Sequence, residues 1–207
     1  MQALTITLNY DIYTDYIRTL PFLDTNKTTL TRRPINIQGA HSWEIDLSYN
    51  KQLLSWWSAN NTVAVYSNAF NGEAAGYSLN NSGLVSIEFT TNNSFRISPT
   101  LSAECDFEYD SKRQYVNSTF GGYSVLDLGL KRSLFGGKGS LTLNGNNILQ
   151  SEDRKAIDRN AGLYQVTSLH FYSRYVSLNF AYRFGSGKTT RININSGSAE
   201  EQNRAGN

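Results

Sequence analysis

Cysteine all but vanishes from this chain: Cys105 stands alone in 207 residues. A single thiol excludes a disulfide framework and a thiolate metal site, and Cys105 alternates with apolar neighbours as an ordinary small hydrophobe. Proline is scarce as well. Pro21 and Pro99 are expected in connections and Pro34 at a strand start, where no ladder donor is lost. No stretch approaches the roughly 18 apolar residues of a membrane helix, so a crossing could be made only by strands in a closed barrel. An excess of one charge is missing too. Nineteen basic residues face seventeen acidic ones for a net +2, too small to point to nucleic acid. His41 and His170 are far apart without ligand spacing, and no Ser/His/Asp arrangement is discernible. No catalytic group, metal or cofactor is expected, and the chain does not read as an enzyme.

What the chain does have is aromatic side chains, 13% of residues, in a polar sequence of mean hydropathy -0.44. That combination suits strands whose alternate residues face lipid and water. The clearest strand covers 175–184. Val176, Leu178, Phe180, Tyr182 and Phe184 take one face, and Ser177, Asn179 and Arg183 the other. The same period of two recurs along the chain. Leu4, Ile6, Leu8, Tyr10 and Ile12 interleave with Thr5, Thr7, Asn9 and Asp11, and Trp43, Ile45, Leu47 and Tyr49 with Ser42, Glu44, Asp46 and Ser48. It is weak over 58–68, where only Val63 and Val65 mark a face, and returns at 85–89, 101–109, 126–130 and 141–144. This gives about eight strands and no convincing amphipathic helix.

Connection lengths alternate. Segments near 14–33, 69–82, 111–122 and 150–173 are long and polar, while those near 51–57, 96–99 and 134–138 are short. Outer-membrane barrels join strands by short periplasmic turns and longer extracellular loops, and every short turn here falls on the side where Phe184 ends. The fold class expected is all-β, an antiparallel up-and-down transmembrane β-barrel segment spanning residues 1–185. A polar tail, 186–207, is expected to be disordered in the periplasm. Trp56 and Trp57, in a predicted periplasmic turn, are candidate interface aromatics. Met1-Gln-Ala runs straight into the first strand with neither a basic nor an apolar leader region. For an exported protein this suggests the C-terminal part of a longer one.

The block Leu141-Thr-Leu-Asn-Gly-Asn-Asn-Ile-Leu149, the polar loop with Asp153 and Arg154, and Phe171-Tyr-Ser-Arg-Tyr-Val-Ser-Leu-Asn-Phe-Ala-Tyr-Arg-Phe-Gly185 resemble the C-terminal end of TonB-dependent receptors. The resemblance is nearest to the Bacteroidota group of outer-membrane β-barrel proteins. Asn36-Ile-Gln-Gly, Leu47-Ser-Tyr-Asn-Lys-Gln and the ending Ser198-Ala-Glu-Glu-Gln-Asn-Arg204 fit the same pattern. The resemblance implies a barrel of roughly 22 strands with a plugged lumen, taking up a bound ligand driven by the TonB complex. This chain lacks the plug, the TonB-contacting segment and more than half of those strands. The implied partners are therefore outer-membrane lipid, the remaining strands and plug, the outer-membrane assembly machinery, and TonB only through the absent part.

Three groups of side chains are candidate sites. Val176, Leu178, Phe180, Tyr182 and Phe184 resemble the C-terminal strand read by the assembly machinery, where strand addition would supply the affinity. Glu44, Asp46, Glu104, Asp106 and Glu108 form an expected lumen-facing acidic wall, with Asp11, Glu88 and Asp127 on the same faces. Its plain reading is an ordinary wet lumen. A closed eight-stranded barrel has room inside only for side chains, so packing those carboxylates there would be costly and a wide lumen is favoured. Arg32-Arg33, Lys112-Arg113 and Arg154-Lys155 are expected as solvated loop charges, with lipopolysaccharide or substrate anions the alternative. Gly185-Ser-Gly-Lys-Thr-Thr190 lacks the first glycine and the helix of a phosphate-binding loop. A complete small outer-membrane barrel with a structural or adhesive role is the runner-up. A soluble β-barrel binding module is a third class.

Overall fold

Alternation of the kind seen in 4–12 and 176–184 extends the backbone and sends neighbouring side chains to opposite faces, and eight such stretches pair edge to edge. The computed structural model describes residues 3–24, 29–74, 77–151, 153–160, 163–171 and 173–184. Its strands are β1 (Ala3–Asp24), β2 (Thr29–Leu54), β3 (Trp57–Asn71), β4 (Glu73–Ala74), β5 (Tyr77–Ser78), β6 (Ser86–Ser98) and β7 (Leu101–Asp110). They continue with β8 (Arg113–Tyr115), β9 (Ser118–Phe120), β10 (Tyr123–Leu134), β11 (Gly139–Asn146), β12 (Arg154–Asn160), β13 (Leu163–Leu169) and β14 (Tyr175–Tyr182). The main sheet has eight strands in the order β1-β2-β3-β6-β7-β10-β11-β14, each antiparallel to its neighbour. This is the expected up-and-down arrangement, and each of its eight strands holds one of the alternating stretches. The tail from 186 onward lies outside the described residues.

Every short turn lies at one end of the sheet. Ser55 and Trp56 join β2 to β3, Pro99 and Thr100 join β6 to β7, and a 3-10 turn, Phe135–Gly137, with Lys138 joins β10 to β11. In the last, Phe135, Gly136 and Gly137 take φ of 54°, 62° and 89°. Glycine at two of these three positions relieves the left-handed strain. β14 also finishes at this end, where the Arg183 N–H donates to the Lys138 carbonyl at 2.8 Å.

The opposite end corrects the expectation of long loops. Residues 14–24 and 29–33 continue the β1–β2 hairpin, whose ladder runs from Ala3–Asn50 up to Asp24–Thr29. At 22 residues β1 is about 70 Å long, more than twice the roughly 30 Å of hydrocarbon in a bilayer. The segments 111–122 and 150–173 contain β8, β9, β12 and β13, which form a second sheet in the order β13-β12-β9-β8. Their polar composition and short length conceal these strands in the sequence. Pro21 and Pro34 likewise lie inside strands, paired with Arg32 and Thr19. Both are tolerated because β1 is an edge strand and β2 meets β3 only from Gly39 onward, leaving one side of each without a ladder. Pro99 does sit in a turn.

Burial is inverted relative to a soluble sheet. Leu8, Ile12 and Val176 are 71%, 71% and 74% exposed. The buried cluster lies instead at the long end: Leu20, Phe22, Ile37, Ala40, Phe70, Leu79 and Val116, flanked by Tyr16, Ile35 and Tyr115. Ala40 and Phe70 face each other on the polar-face rows of β2 and β3. The upper hairpin therefore turns its apolar side inward to meet them. The change falls where the ladder skips Asp15 and Gln38, with Asp15 at φ 54° and held by the Asn36 amide at 3.1 Å.

Candidate functional site

Because directly opposed residues in an antiparallel ladder share a face, the register assigns every side chain of the sheet. One row runs Leu8–Ile45–Val65–Ile87 across β1, β2, β3 and β6. Another runs Phe95–Ala103–Leu130–Leu143–Leu178 from β6 to β14. These rows join the predicted apolar faces into one continuous surface. The members of the candidate assembly strand lie on it: Val176, Leu178, Phe180 and Tyr182 belong to β14. Phe184 falls two residues past the end of β14 rather than within it, 88% exposed, with its ring edge-on to Tyr182 at 4.7 Å.

Arg132, His41, Ser67 and Lys51 also stand on this surface, and one group of polar side chains on it is joined by hydrogen bonds. Asn61 pairs with Thr91, and Ala59 with Asn93, on the same face as Val63 and Phe89. The Trp57 indole N–H donates to Asn93 Oδ1 at 3.0 Å, the Asn93 amide to Thr91 Oγ1 at 2.9 Å, and the Thr91 hydroxyl to Asn61 Oδ1 at 2.7 Å. This chain of bonds explains why alternation fades over 58–68. Polar groups can stand on an apolar face when they satisfy one another. Sequence reasoning missed the network, and its only signal was that weakening.

Trp56 and Trp57 divide. Trp56 occupies the turn, whereas Trp57 opens β3 instead of sitting in the turn as expected. The two indoles stack at 6.2 Å, and Phe95 packs on Trp57 at 5.9 Å. Phe135 and Tyr182 form a second aromatic pair at this end, 5.6 Å apart. A Cβ on Gly139 would meet the Phe135 ring at 2.8 Å, so glycine here leaves room for that ring to sit close to the β11 backbone.

The opposite face gathers the acids. Asp46, Ala64, Glu88 and Asp110 share one row, Asn92, Asp106 and Asp127 another, and Glu44 faces Tyr66. Glu104 and Glu108 stand on the same side of β7 as Asp106. All five predicted wall residues thus share one face. Their partners were not legible in the sequence. Tyr66 donates to Glu88 at 2.7 Å, Tyr123 to Glu108 at 2.6 Å, and the Asn92 amide to Asp106 at 3.1 Å. Arg113 lies 3.3 Å from Asp110 and 3.8 Å from Glu88. A depression of about 250 Å³ opens among Asp11, Ser42, Glu44, Tyr66, Asn68 and Glu88. Among the described residues no group of His, Cys, Asp and Glu is arranged to hold a metal ion.

The basic pairs at the long end are only partly solvated. Arg33 covers the Phe22 ring at 4.4 Å, Arg113 the Phe120 ring at 5.5 Å, and Arg154 the rings of Tyr123 and Phe171 at 4.3 and 5.3 Å. Arg18 rests over Tyr16 and Tyr115, whose hydroxyls meet each other. Burial pushes the Tyr115 hydroxyl up from its ordinary pKa, and the Arg18 guanidinium pulls against that shift. His170 closes the base of the β12–β13 hairpin against Asp153 at 2.9 Å.

An apolar face of exposed aliphatics, aromatics at its short-turn margin and a polar opposite face define a membrane-type antiparallel β-sheet. The Outer membrane protein beta-barrel family matches residues 1–182, and the chain belongs to that family. It is accordingly an outer-membrane protein. No curated protein and no solved structure matches the chain.

Proposed function

We propose that this chain forms the C-terminal section of the barrel of a TonB-dependent receptor of the Bacteroidota type. In that role it supplies part of the lumen wall and the extracellular extension for uptake of a ligand. The observation that carries the reading is the open sheet. β1 pairs only with β2 and β14 only with β11, so among the described residues both outer edges lack a neighbouring strand. An open edge cannot stand in hydrocarbon, where each unpaired backbone group costs several kcal/mol. Further strands outside these 207 residues satisfy both edges. The crowding of Asp46, Glu88, Asp106 and Asp127 on one face supports the same reading, because a wide lumen keeps those carboxylates hydrated. The acidic face is then the lumen wall, the short-turn end with the tail is periplasmic, and the long hairpins are extracellular. β14 is the strand offered to the assembly machinery, and Trp56 and Trp57 sit at the periplasmic interface.

Cysteine cross-linking separates this reading from a complete small barrel. In a Cys105→Ala background, Thr7→Cys is combined in turn with Ser177→Cys, Asn179→Cys and Ala181→Cys. All four positions lie on the polar face of β1 or β14. The receptor reading expects no β1–β14 disulfide in protein taken from the outer membrane, and an intact mass well above 23.2 kDa. Ready cross-linking at 23.2 kDa would establish closure of eight strands and sink the proposal.

A further inference from the structure

We propose that the polar face carries, at its short-turn end, a binding site for a phosphate group, built from Lys131, Lys138 and Arg183 around a floor of small side chains. The register builds it. Ser133 opposes Ser140, and Ser140 opposes Ala181, so three small residues cross β10, β11 and β14 in one row. Lys131 stands two residues from Ser133 on the same face. On the other side of the row, the 2.8 Å bond from the Arg183 N–H to the Lys138 carbonyl draws those two residues together at the rim. The result is a depression of about 490 Å³ with cations on both sides of its low floor.

None of the three cations has an ion-pair partner among the described residues. Glu104 is diagonal to Lys131 across β7 and β10 but forms no ion pair with it. The remaining carboxylates of this face lie farther from the rim, so the field along the wall turns from acidic to basic as the short-turn end is approached. An anion is repelled above and held here. Two ammonium groups, a guanidinium able to grip two oxygens and the Ser133 and Ser140 hydroxyls suit a phosphate better than a single carboxylate. Two sources share that chemistry: a phosphate compound dissolved in the lumen, and a lipid headgroup reaching round the rim beside Phe135 and Tyr182.

The site rests on the proposed reading only in requiring that the polar face be water-lined. Full-length protein extracted from the outer membrane into non-ionic detergent is treated with a water-soluble amine-acylating reagent. Modification of Lys131, Lys138 and the distant Lys155 is followed by peptide mass spectrometry. Inorganic tripolyphosphate is one probe, and mixed micelles containing phosphatidylglycerol are the other. Protection of Lys131 and Lys138 but not Lys155 is expected. Arg183→Gln should raise the half-protecting concentration about tenfold, as loss of a charge-assisted pair does. Protection by tripolyphosphate assigns a soluble source, and protection by the lipid alone a headgroup. Labelling of Lys131 with no protection by either probe overturns the site and leaves the receptor reading intact. Failure of Lys131 to label at all, while Lys155 labels, overturns the site, because the face is then closed to a soluble anion.

Discussion

Asn61, Thr91 and Asn93 stand on a mainly apolar face, and each is bonded to the next. The physics of an unmet polar group makes the network testable. Asn93→Ala strands the Trp57 N–H and removes a donor from Thr91, and should lower stability in lipid by about 1–3 kcal/mol. Replacing Trp57 with Phe together with Asn61, Thr91 and Asn93 with Leu, Val and Leu removes donors and acceptors alike and should be near neutral. Denaturant unfolding in lipid vesicles reads both, and equal loss in the two variants would refute the mutual-satisfaction account. Leu178 poses the complementary question. Near the middle of β14 on the apolar face, Leu178→Arg should cost about 2–4 kcal/mol. Insertion of that variant as complete as wild type would show that this face does not meet lipid. The side of the sheet taken by Leu178, Glu104 or Asp106 was legible from alternation, because period two is a property of the strand itself. Their hydrogen-bond partners were not, because Tyr66 reaches Glu88 and Tyr123 reaches Glu108 only through cross-strand register.

At the scale of elements, the β1–β2 hairpin joins two environments in one ladder. Below Asp15 its apolar residues are exposed to the outside of the sheet. Above Asp15 the apolar residues Leu20, Phe22 and Ile37 are buried with Ala40, Phe70 and Val116. These two regions should fail independently. Phe70→Ala opens a cavity in the cluster and should cost that part of the structure about 3–5 kcal/mol. Limited proteolysis would then cut the upper hairpin and the 77–85 segment faster, while the heat-dependent gel shift of the membrane part stays unchanged. Loss of both together would show a single cooperative unit. Residues 14–33 of this hairpin have the sequence of a polar connection because alternation there is broken by Pro21 and the Arg32-Arg33 pair. Edge position excuses the prolines, and Phe22 takes the charge of Arg33 on its ring face. Neither compensation is written in the local sequence.

For the molecule as a whole, the decisive feature is an eight-stranded sheet with two edges unpaired among the described residues, one apolar surface and one acidic surface that turns basic at the rim. A wide lumen predicts that the acids of the polar face are hydrated. Glu104→Gln combined with Asp106→Asn should therefore change stability in lipid by less than about 1 kcal/mol, the range of exposed charge interactions. A large gain on neutralising them would point to a tight interior and the smaller barrel. The sequence by itself determined the strand class, the eight strands, which residues share a face and the segregation of short turns. Each of these follows from local alternation and from composition within a few residues. Only the tertiary structure decided that the polar segments pair into strands, that Asn61, Thr91 and Asn93 sustain one another, and that Lys131, Lys138 and Arg183 converge. The physical reason is that these depend on register between strands up to dozens of residues apart, and register is set by the whole ladder rather than by any one strand.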